Sequence, residues 1–468
     1  MTSKRRDLGM YLLYSVLTAV ATLLLTPYFL VRSFRSKRYL QNLPERLGLR
    51  FPPELAAGDR SAPGAIWIHA VSVGEALAAV PLAQAVKKRF ADRRLVVSTT
   101  TATGQTLARE RMPFADAIFY FPLDWRGPVR RALRAARPAL VIVFETEIWP
   151  NFLREARRAG IPVVFVNGRI SEASFRRFSR ALRWSGGAVG GFLRRVLGDA
   201  SLYLMQNGAD AQRLLSLGAP VERVSVIGNL KYDMTPPAAG PLVRWLEAEV
   251  ARSRRWPVLV AGSVIAGEEP AVLEALAAVG EKWPDALLVL APRKPERFSG
   301  AAELVEQAGW RVIRRSGLAL NGAAPSAPSA KGGELACAPG RRSVLLLDTI
   351  GELSGVYRIA DAVFIGGSLE PAGGHNPLEP AAFGKAPVFG FSMDNFREIA
   401  RTLIGAGGAV QVRSGKELGA AWTALLADAG RSSRMGRAAQ ELVERNRGAT
   451  AASLERIAMF LPAAKTPE

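Results

Sequence analysis

The sequence is poor in the residues that build disulfides and metal centres. It has one cysteine, Cys337, and two histidines, His69 and His375, in 468 residues. A single cysteine excludes an internal disulfide and a thiolate cluster, and two histidines leave little room for a histidine-rich metal site. The chemistry of this chain must therefore come from carboxylates, lysine, arginine, hydroxyls and the backbone.

Two motifs of phosphate chemistry are also missing. The chain contains no Asp-x-Asp, with which many sugar-nucleotide transferases hold a metal-bound diphosphate, and no G-x-x-x-x-G-K-[ST] loop. The first absence argues against a metal-diphosphate clamp, and the second disfavours an ordinary NTPase. We predict no resident metal and no cofactor.

Basic residues outnumber acidic ones, with 62 Lys and Arg against 41 Asp and Glu, which gives a formal net charge of +21. This excess favours an anionic partner, such as a nucleic acid, a lipid surface or a phosphorylated substrate. Hydrophobic residues make up 49% of the chain, which is ample for a large core. The length predicts two domains.

An uncharged stretch, Leu8–Val31, is long enough to cross about 30 Å of hydrocarbon as a helix. Its length and the lack of an A-x-A-like site favour an uncleaved anchor over a cleaved signal peptide. Tyr28 and Phe29, followed by basic residues, are typical of a helix end at the membrane interface. The larger number of Lys and Arg residues on that side predicts that the rest of the protein lies in the cytoplasm. We therefore predict an anchor over residues 1–34. Because Pro27 would kink the helix, shallow insertion is the alternative.

Beyond the anchor, short apolar runs rich in β-branched residues alternate with helical stretches. Such runs between helices are typical of parallel strands buried on both faces. One series comprises Ala65–Val71, Leu95–Thr99, Ala139–Phe144, Pro162–Val166, Ser201–Met205 and Val224–Ile227. A second comprises Pro257–Ala261, Ala286–Leu290, Val344–Leu347, Ala362–Ile365 and Ala386–Phe389.

A proline-rich break, Asp233–Pro241, separates the two series and suits an interdomain linker. We predict an α/β fold with two Rossmann-like domains, residues 35–235 and 236–468, facing a cleft at the carboxyl ends of their strands. This is the architecture of GT-B glycosyltransferases, although other two-domain α/β proteins share it. Ser316–Arg342, rich in Ala, Gly, Pro and Ser, is interpreted as a flexible insertion.

The first informative motif is HAVSVGE, which ends at Glu75. Gly74 allows a tight turn off the strand, so we expect Glu75 near a helix N-terminus, where the helix dipole keeps a carboxylate ionised at neutral pH. An ionised carboxylate at the mouth of a cleft can take a proton from an attacking hydroxyl. The alternative is that Glu75 is only a favourable first-turn residue.

Two further motifs place charges at strand ends. In FETEIWP, Glu145 and Glu147 directly follow a buried strand, where unpaired charges would be costly. Each therefore needs a function or a partner, and an ion pair with an arginine such as Arg169 is the structural alternative. In GNLKYD, Lys231 can reach a cleft and neutralise developing negative charge, whereas a solvated lysine is the simpler explanation.

A nucleotide site is predicted from segments that follow strands of the second series. Glycine turns and helix N-termini bind phosphate through backbone N–H groups, and Arg293 adds a fork of donors. Asn376 and Glu379 share one face of a helix start, where a Glu suits ribose hydroxyls. Each cluster is weak evidence alone. The segments are Gly262-Ser263, Ala291–Lys294, Asp348–Leu353, Gly366–Ser368 and Gly373–Ala381.

Together these motifs resemble the 3-deoxy-D-manno-octulosonic acid (Kdo) transferase family, membrane-anchored enzymes of lipopolysaccharide inner-core synthesis. The resemblance is carried by HAVSVGEALAAVPL, FETEIWPN, GNLKYD, APRKPERF, DTIGEL and IGGSLEPAGGHNPLEPA, in that order. It implies inverting, metal-independent transfer of Kdo from CMP-Kdo to the tetraacylated lipid A precursor, lipid IVA. It also implies location at the inner membrane with the catalytic domains on the cytoplasmic side.

The resemblance also implies residue roles. Glu75 matches the general base, and Glu145 and Lys231 match positions assigned to transition-state stabilisation. The matches to the CMP contacts are Pro292, Arg293, Ile350, Gly351, Glu352, Asn376, Pro377, Leu378 and Glu379.

We expect the anchor and basic segments such as Arg126–Arg137 and Arg176–Arg183 to dock on an anionic membrane surface. One rival is a transferase of the same architecture that uses a UDP-sugar. Another is a basic, membrane-tethered protein that binds nucleic acid or lipid and is not an enzyme. It is disfavoured because Glu145, Glu147 and Glu379 would repel the phosphates of a nucleic acid.

Overall fold

The computed structural model describes residues 9–20, 22, 24, 42–56, 62–184, 187–253, 255–318, 320 and 343–461. The chain divides into two compact units. The first holds the residues up to Asp233 and the segment from Asn446 onward, and the second runs from Met234 to Arg445. Each unit is built on a seven-stranded parallel sheet with helices between its strands. The predicted α/β class with two Rossmann-like domains is confirmed.

The first sheet has the order β3-β2-β1-β4-β5-β6-β7. Its strands are β1 (Ala65–His69), β2 (Leu95–Thr99), β3 (Ala117–Tyr120), β4 (Pro138–Phe144), β5 (Val163–Gly168), β6 (Leu202–Met205) and β7 (Val224–Val226). The strand order reverses between β1 and β4, and in doubly wound sheets ligands bind beyond the carboxyl ends of the strands at such a switch point.

Helices surround this sheet on both faces. Trp67 packs into one buried apolar cluster, while its neighbours Ile66 and Ile68 pack into the other, as the alternation of side chains along a strand requires. The helices are Leu43–Arg46, Pro53–Ala56, Val73–Arg89, Ala102–Arg111, Arg126–Ala136, Pro150–Arg158, Glu172–Trp184, Ala188–Leu197, Gly208–Ser216 and Ala449–Ala458, with 3₁₀ turns at Val221–Arg223 and Leu230–Asp233.

The second sheet has the order β10-β11-β9-β8-β12-β13-β14, with its switch point between β8 and β12. Its strands are β8 (Val258–Val264), β9 (Leu287–Pro292), β10 (Arg311–Arg314), β11 (Ser343–Leu346), β12 (Ala362–Ile365), β13 (Pro387–Phe389) and β14 (Val410–Gln411). Its helices are Pro241–Ser253, Glu269–Lys282, Phe298–Gln307, Leu353–Val356, Leu378–Ala381, Arg397–Gly405, Gly415–Ala427 and Ala429–Arg445, with 3₁₀ turns at Pro295–Arg297, Arg315–Gly317, Tyr357–Ile359 and Asp394–Phe396.

The sequence pattern finds the strands of the sheet interiors and misses three at the edges. The missed strands are β3, β10 and β14. Two of them, β10 and β14, are incompletely buried, so their sequences carry a weaker apolar signal. In β10, for example, only Ile313 is fully buried. The third, β3, is buried along its whole length, and its burial does not explain why it was missed.

The end of the chain was predicted to belong to the second domain, residues 236–468, but the segment from Asn446 onward belongs to the first unit. The helix Ala449–Ala458 packs in the first unit, where Ala449 and Ile457 join one of its two apolar clusters. The Asp233 carboxylate accepts hydrogen bonds from the backbone N–H groups of Gly448 and Thr450. Apolar burial and this cap hold the last helix in the first unit, which a linear reading of domains does not reveal.

Residues 9–20 form a helix in the first unit. On one side, the Tyr11 hydroxyl donates to Asp199 at 2.5 Å and the Tyr14 hydroxyl donates to Asp124 at 2.9 Å. The other side exposes the apolar residues Leu12, Leu13, Val16, Leu17 and Val20. Among the described residues, no helix has both the length and the apolar character to span a membrane. Residues 1–8, 21, 23 and 25–34 of the predicted anchor lie outside the described residues, as do 319 and 321–342 of the predicted insertion with Cys337.

Candidate active site

Glu75 lies in the first turn of the helix Val73–Arg89, which follows β1 at the switch point of the first sheet. The Ser72 side chain caps this helix by accepting from the Glu75 N–H at 3.3 Å, and its hydroxyl donates to Glu75 Oε1 at 2.9 Å. Glu75 Oε2 accepts from the Val71 N–H at 2.8 Å. This is a variant of the capping box in which the Glu side chain accepts from the N–H of the residue before the N-cap, so Glu75 does serve as a favourable first-turn residue. Gly74 lies inside the helix rather than at a turn before it.

Glu75 is more deeply buried and closer to other charged groups than a helix-capping residue needs to be. The residue is 7% exposed, and burial, followed by repulsion from Glu145 and then Glu147, raises its pKa to about 7 against the lowering effect of the Val71 and Ser72 hydrogen bonds. The expectation of a carboxylate held ionised by the helix dipole is therefore wrong. Desolvation and like charges outweigh the dipole, and they bring the group close to half-protonation at neutral pH.

The acidic loop after β4 carries Glu145 and Glu147. Glu145 adopts a left-handed backbone conformation with φ 54°, which is uncommon for a residue with a side chain. The Thr146 hydroxyl donates to the Arg169 carbonyl oxygen at 2.5 Å and accepts from the Arg169 N–H at 2.8 Å. This pair of bonds ties the acidic loop to the segment that follows β5. Burial, and then the charge of Glu145, raises the pKa of Glu147.

Lys231 is the ion-pair partner of Glu145, with Nζ 4.0 Å from Oε1. The sequence suggested Arg169 for this pairing, but Arg169 meets the acidic loop through its backbone. Burial lowers the pKa of Lys231, while the charges of Glu145 and Glu75 raise it. The three predicted catalytic residues of the first unit therefore act on one another electrostatically.

A polar network that the sequence analysis missed holds Lys231 in place. The buried Asn167 side chain accepts from the Leu230 N–H at 3.0 Å, and Gln206 donates to the Asn167 carbonyl oxygen at 2.9 Å. Asn229 donates to the Gln206 side-chain oxygen and accepts from the Lys231 N–H. Asn167 lies near the end of β5, and Gln206 and Asn229 follow β6 and β7. The strand-end argument applied to Glu145 would therefore also have identified their positions, although not the hydrogen bonds between them.

The cluster of the first unit combines a carboxylate that can accept a proton near pH 7 with an adjacent acid–lysine pair. A carboxyl group with a pKa near the working pH is suited to general base catalysis. A half-buried lysine such as Lys231 can stabilise negative charge that develops during a reaction. The arrangement is therefore suited to removing a proton from a hydroxyl nucleophile.

In the second unit, Pro292 ends β9, and the N–H of Arg293 donates to the Val264 carbonyl oxygen at 2.8 Å. The Arg293 side chain is exposed. Burial, and then the Arg293 charge, lowers the pKa of His375 to about 4. Arg293 therefore lies near His375, the residue directly before Asn376, and can offer its donors to an anion there.

Asn376 and Glu379 share one face, as predicted. The Asn376 amide donates to Glu379 Oε1 at 3.4 Å and accepts from the Leu378 N–H at 3.1 Å. Pro377 and Leu378 are buried beneath them. The helix that begins here, Leu378–Ala381, has only four residues, so its dipole adds little.

The Ile350–Glu352 segment presents one exposed residue and one paired residue. Ile350 is 62% exposed, and Gly351 has φ 95°, which favours glycine. Glu352 accepts from the Arg315 guanidinium at 2.9 and 3.1 Å and from the Thr349 hydroxyl at 2.5 Å. Arg315 is a further residue of this segment that the sequence analysis missed.

One predicted part of the anion site is already occupied by a side chain. The N–H groups of Gly367 and Ser368 donate to the carboxylate of Glu268. The expectation that the Gly366–Ser368 turn offers its N–H groups to a phosphate is therefore wrong. The turn has the predicted shape, but a protein carboxylate takes the place of a ligand.

The basic segments predicted to dock on a membrane are partly used within the first unit. Arg126 and Arg130 form ion pairs with the buried Glu155 at 3.3 and 2.5 Å, and Arg131 donates to the Leu47 carbonyl oxygen. Arg176 pairs with Glu172 on the surface. Only part of this charge therefore remains for an external anion.

Known proteins resemble this chain over most of its length. The family model described as 3-deoxy-D-manno-octulosonic-acid transferase (kdotransferase) matches residues 41–234. The 3-deoxy-D-manno-octulosonic acid transferase of Haemophilus influenzae is 33% identical over 455 residues, which cover 96% of this chain and 98% of that protein. The protein of the same name from Bordetella pertussis is 33% identical over 433 residues, 89% and 90% of the two chains.

Solved structures resemble it in fold. A UDP-GlcNAc 2-epimerase from Neisseria meningitidis, solved with UDP-GlcNAc, aligns with a TM-score of 0.53 at 13% identity over 85% of this chain and 100% of that one. At this level of identity the likeness concerns the two-domain architecture of GT-B type alone.

Proposed function

We propose a specific reaction for this chain, which belongs to the Kdo transferase family and is therefore a glycosyltransferase, as its motifs predicted. It transfers Kdo from CMP-Kdo to the lipid A precursor lipid IVA in lipopolysaccharide inner-core biosynthesis. Transfer proceeds with inversion and without a metal ion in the transfer step. The observation that carries the proposal is the buried Glu75, with its pKa of about 7, beside the Glu145–Lys231 pair.

Glu75 is the general base of this reaction. Its carboxylate removes the proton of an acceptor sugar hydroxyl, the hydroxyl oxygen attacks the anomeric carbon of Kdo, and the bond from that carbon to the CMP phosphate breaks. Lys231 and Glu145 stabilise the charges that develop as the bonds change. The electron pair leaves with CMP.

The donor nucleotide is bound by the second unit. Arg293 supplies donors to the CMP phosphate, and the Asn376–Glu379 face suits the ribose hydroxyls. The remaining proposed contacts are Pro292, Ile350, Gly351, Glu352, Pro377 and Leu378. CMP-Kdo carries a single phosphate, so the leaving group does not need the metal that bridges a diphosphate.

The acceptor is a phosphorylated lipid, so we place the enzyme at the cytoplasmic side of the inner membrane. The exposed apolar side of the helix over residues 9–20 supports this location, and its opposite side is hydrogen-bonded to Asp124 and Asp199. Cosedimentation with anionic vesicles checks it. Leu13→Asp/Leu17→Asp should weaken binding, and unchanged binding would count against this attachment.

The decisive experiment is incubation of the full chain with CMP-Kdo and lipid IVA, followed by mass analysis of the lipid. A product heavier by one or more Kdo residues is expected, with CMP released. Arg293→Ala should raise the KM for CMP-Kdo more than the KM for lipid IVA. Protection against thermal unfolding by UDP but not by CMP would instead support the UDP-sugar transferase.

A further inference from the structure

Glu268 is a buried carboxylate that receives four backbone N–H groups. It precedes the helix Glu269–Lys282, in the loop that follows β8, and is 1% exposed. Its Oε1 accepts from Ser368 and Leu369, both at 2.8 Å. Its Oε2 accepts from Gly367 at 2.6 Å and from Ile265 at 3.0 Å.

Both carboxylate oxygens are needed for this arrangement. Three consecutive N–H groups of the loop at 367–369 converge on one group, as they do in backbone nests that bind anions. Each oxygen of Glu268 takes two donors, which a carboxylate can do with its lone pairs. A carboxamide of the same size would place an N–H₂ donor against two N–H donors, so one side of the arrangement would be lost.

The loop held by Glu268 is joined to the predicted nucleotide-binding segment. The N–H of Gly374 donates to the Gly367 carbonyl oxygen at 2.7 Å, and the N–H of His375 donates to the Gly366 carbonyl oxygen at 3.2 Å. A Cβ on Gly367 would lie 2.8 Å from the His375 ring. The position of His375, and of Asn376 directly after it, therefore depends on the conformation of this loop.

The loop also packs closely against its other neighbours. A Cβ on Gly366 would lie 2.5 Å from the Ser263 carbonyl oxygen. The Ser368 hydroxyl accepts from the Gly390 N–H at 2.7 Å, which ties the loop to the strand end of β13. Glu268 thus joins the segment after β8 to the loop after β12 at the switch point of the sheet.

From this geometry we propose that Glu268 is a positioning residue of the nucleotide site. It acts through the loop at 366–369 and sets the places of His375 and Asn376 without touching the ligand. The inference rests on the proposed function, because it assumes that this segment binds CMP. It predicts that loss of the Glu268 carboxylate weakens donor binding rather than acceptor binding.

The experiment compares Glu268→Gln with Asp361→Asn in the full chain. Asp361 also gives a carboxylate oxygen to a backbone N–H, that of Val258 at 2.8 Å, but at the opposite end of the same sheet. Calorimetric titration with CMP should show about tenfold weaker binding for Glu268→Gln, since two hydrogen bonds that order the loop are lost. Asp361→Asn should change CMP affinity less than about twofold even if its melting temperature falls similarly.

Two further measurements distinguish a loss of positioning from a general loss of folded stability. The KM for CMP-Kdo should rise in Glu268→Gln while the KM for lipid IVA stays constant, and hydrogen exchange of the amides at 367–369 should become faster. If Glu268→Gln does not fold, Glu268→Asp replaces it, because it keeps both oxygens but shortens their reach.

Unchanged CMP affinity in a variant whose loop amides exchange faster would overturn the positioning role. Failure of the wild-type chain to bind CMP, with binding of UDP instead, would overturn the proposed function. In that case the same pair of variants titrated with UDP would still decide whether Glu268 positions the loop.

Discussion

Two capping boxes in this molecule share the same local structure and differ in their surroundings. Ser72 and Glu75 begin one helix, and Ser414 and Glu417 begin another. In both, the Ser side chain accepts from the Glu N–H, at 3.3 and 3.2 Å, and the Glu Oε2 accepts from a backbone N–H four residues earlier at 2.8 Å. Glu75 is buried near two carboxylates and Lys231, whereas Glu417 is exposed.

The comparison separates what a sequence motif determines from what the fold adds. The Ser-x-x-Glu pattern accounts for the place of each Glu at a helix start. It does not account for the pKa of Glu75, because that pKa is raised by burial and then by the charges of Glu145 and Glu147, which lie on the loop after β4. If Glu75 is the base, the two boxes must respond differently to identical substitutions.

The largest difference is expected in turnover. Glu75→Gln keeps the capping box, since Gln also serves at this position, but it removes the proton acceptor. Loss of a general base costs about 10²–10⁴-fold, so kcat should fall by about 10³-fold while CMP affinity stays constant. Glu417→Gln should leave both unchanged in the same assay of product mass. Full turnover by Glu75→Gln would refute the base assignment.

The second difference is expected in stability against pH. The pKa of Glu75 is raised from 4.5 to about 7, so its stabilising contribution is complete below pH 4.5 and is lost as the pH rises through 7. At pH 8 the buried charge costs on the order of 3 kcal/mol, because each pKa unit corresponds to about 1.4 kcal/mol.

Glu75→Gln should therefore melt at a higher temperature than the wild type at pH 8, and this gain should vanish near pH 4. Glu417→Gln provides the control and should alter the free energy of unfolding by about 0.5 kcal/mol or less. Equal melting temperatures for Glu75→Gln and the wild type at pH 8 would mean that Glu75 is not a costly buried charge.

Some of the features behind these predictions can be predicted from the sequence, and others cannot. The interior strands and the strand-end positions of Glu145 and Lys231 follow from patterns over a few residues. The direction of the Glu75 pKa shift, the hydrogen bonds that join Asn167, Gln206 and Asn229, and the contacts of Glu268 with the loop at 366–369 do not, because each depends on groups from separate strand ends. Propensity and spacing are local, whereas desolvation and charge repulsion are set by tertiary packing.

A third prediction tests whether Glu145 causes the difference between the boxes. The rate should rise with pH as Glu75 loses its proton, which gives kcat/KM an acid limb near pH 7. Glu145→Gln removes the neighbouring charge that has the larger effect on the Glu75 pKa, so the limb should move to lower pH, with a reduced plateau because the Glu145–Lys231 ion pair is lost. Glu147→Gln should move the limb less, since its charge contributes less to the shift. A larger displacement for Glu147→Gln would reverse this order.

The smallest effect separates the two serines. Ser72→Ala and Ser414→Ala each remove an N-cap acceptor, so each should lower the free energy of unfolding by about 1 kcal/mol. The Ser72 hydroxyl also donates to Glu75 Oε1 and lowers the pKa of that carboxyl. The acid limb of kcat/KM should therefore move to higher pH in Ser72→Ala and stay in place in Ser414→Ala. If both variants lost stability and neither moved the limb, the Ser72 hydrogen bond would stabilise the helix without affecting the pKa of Glu75. Burial and the acidic loop would then account for that pKa.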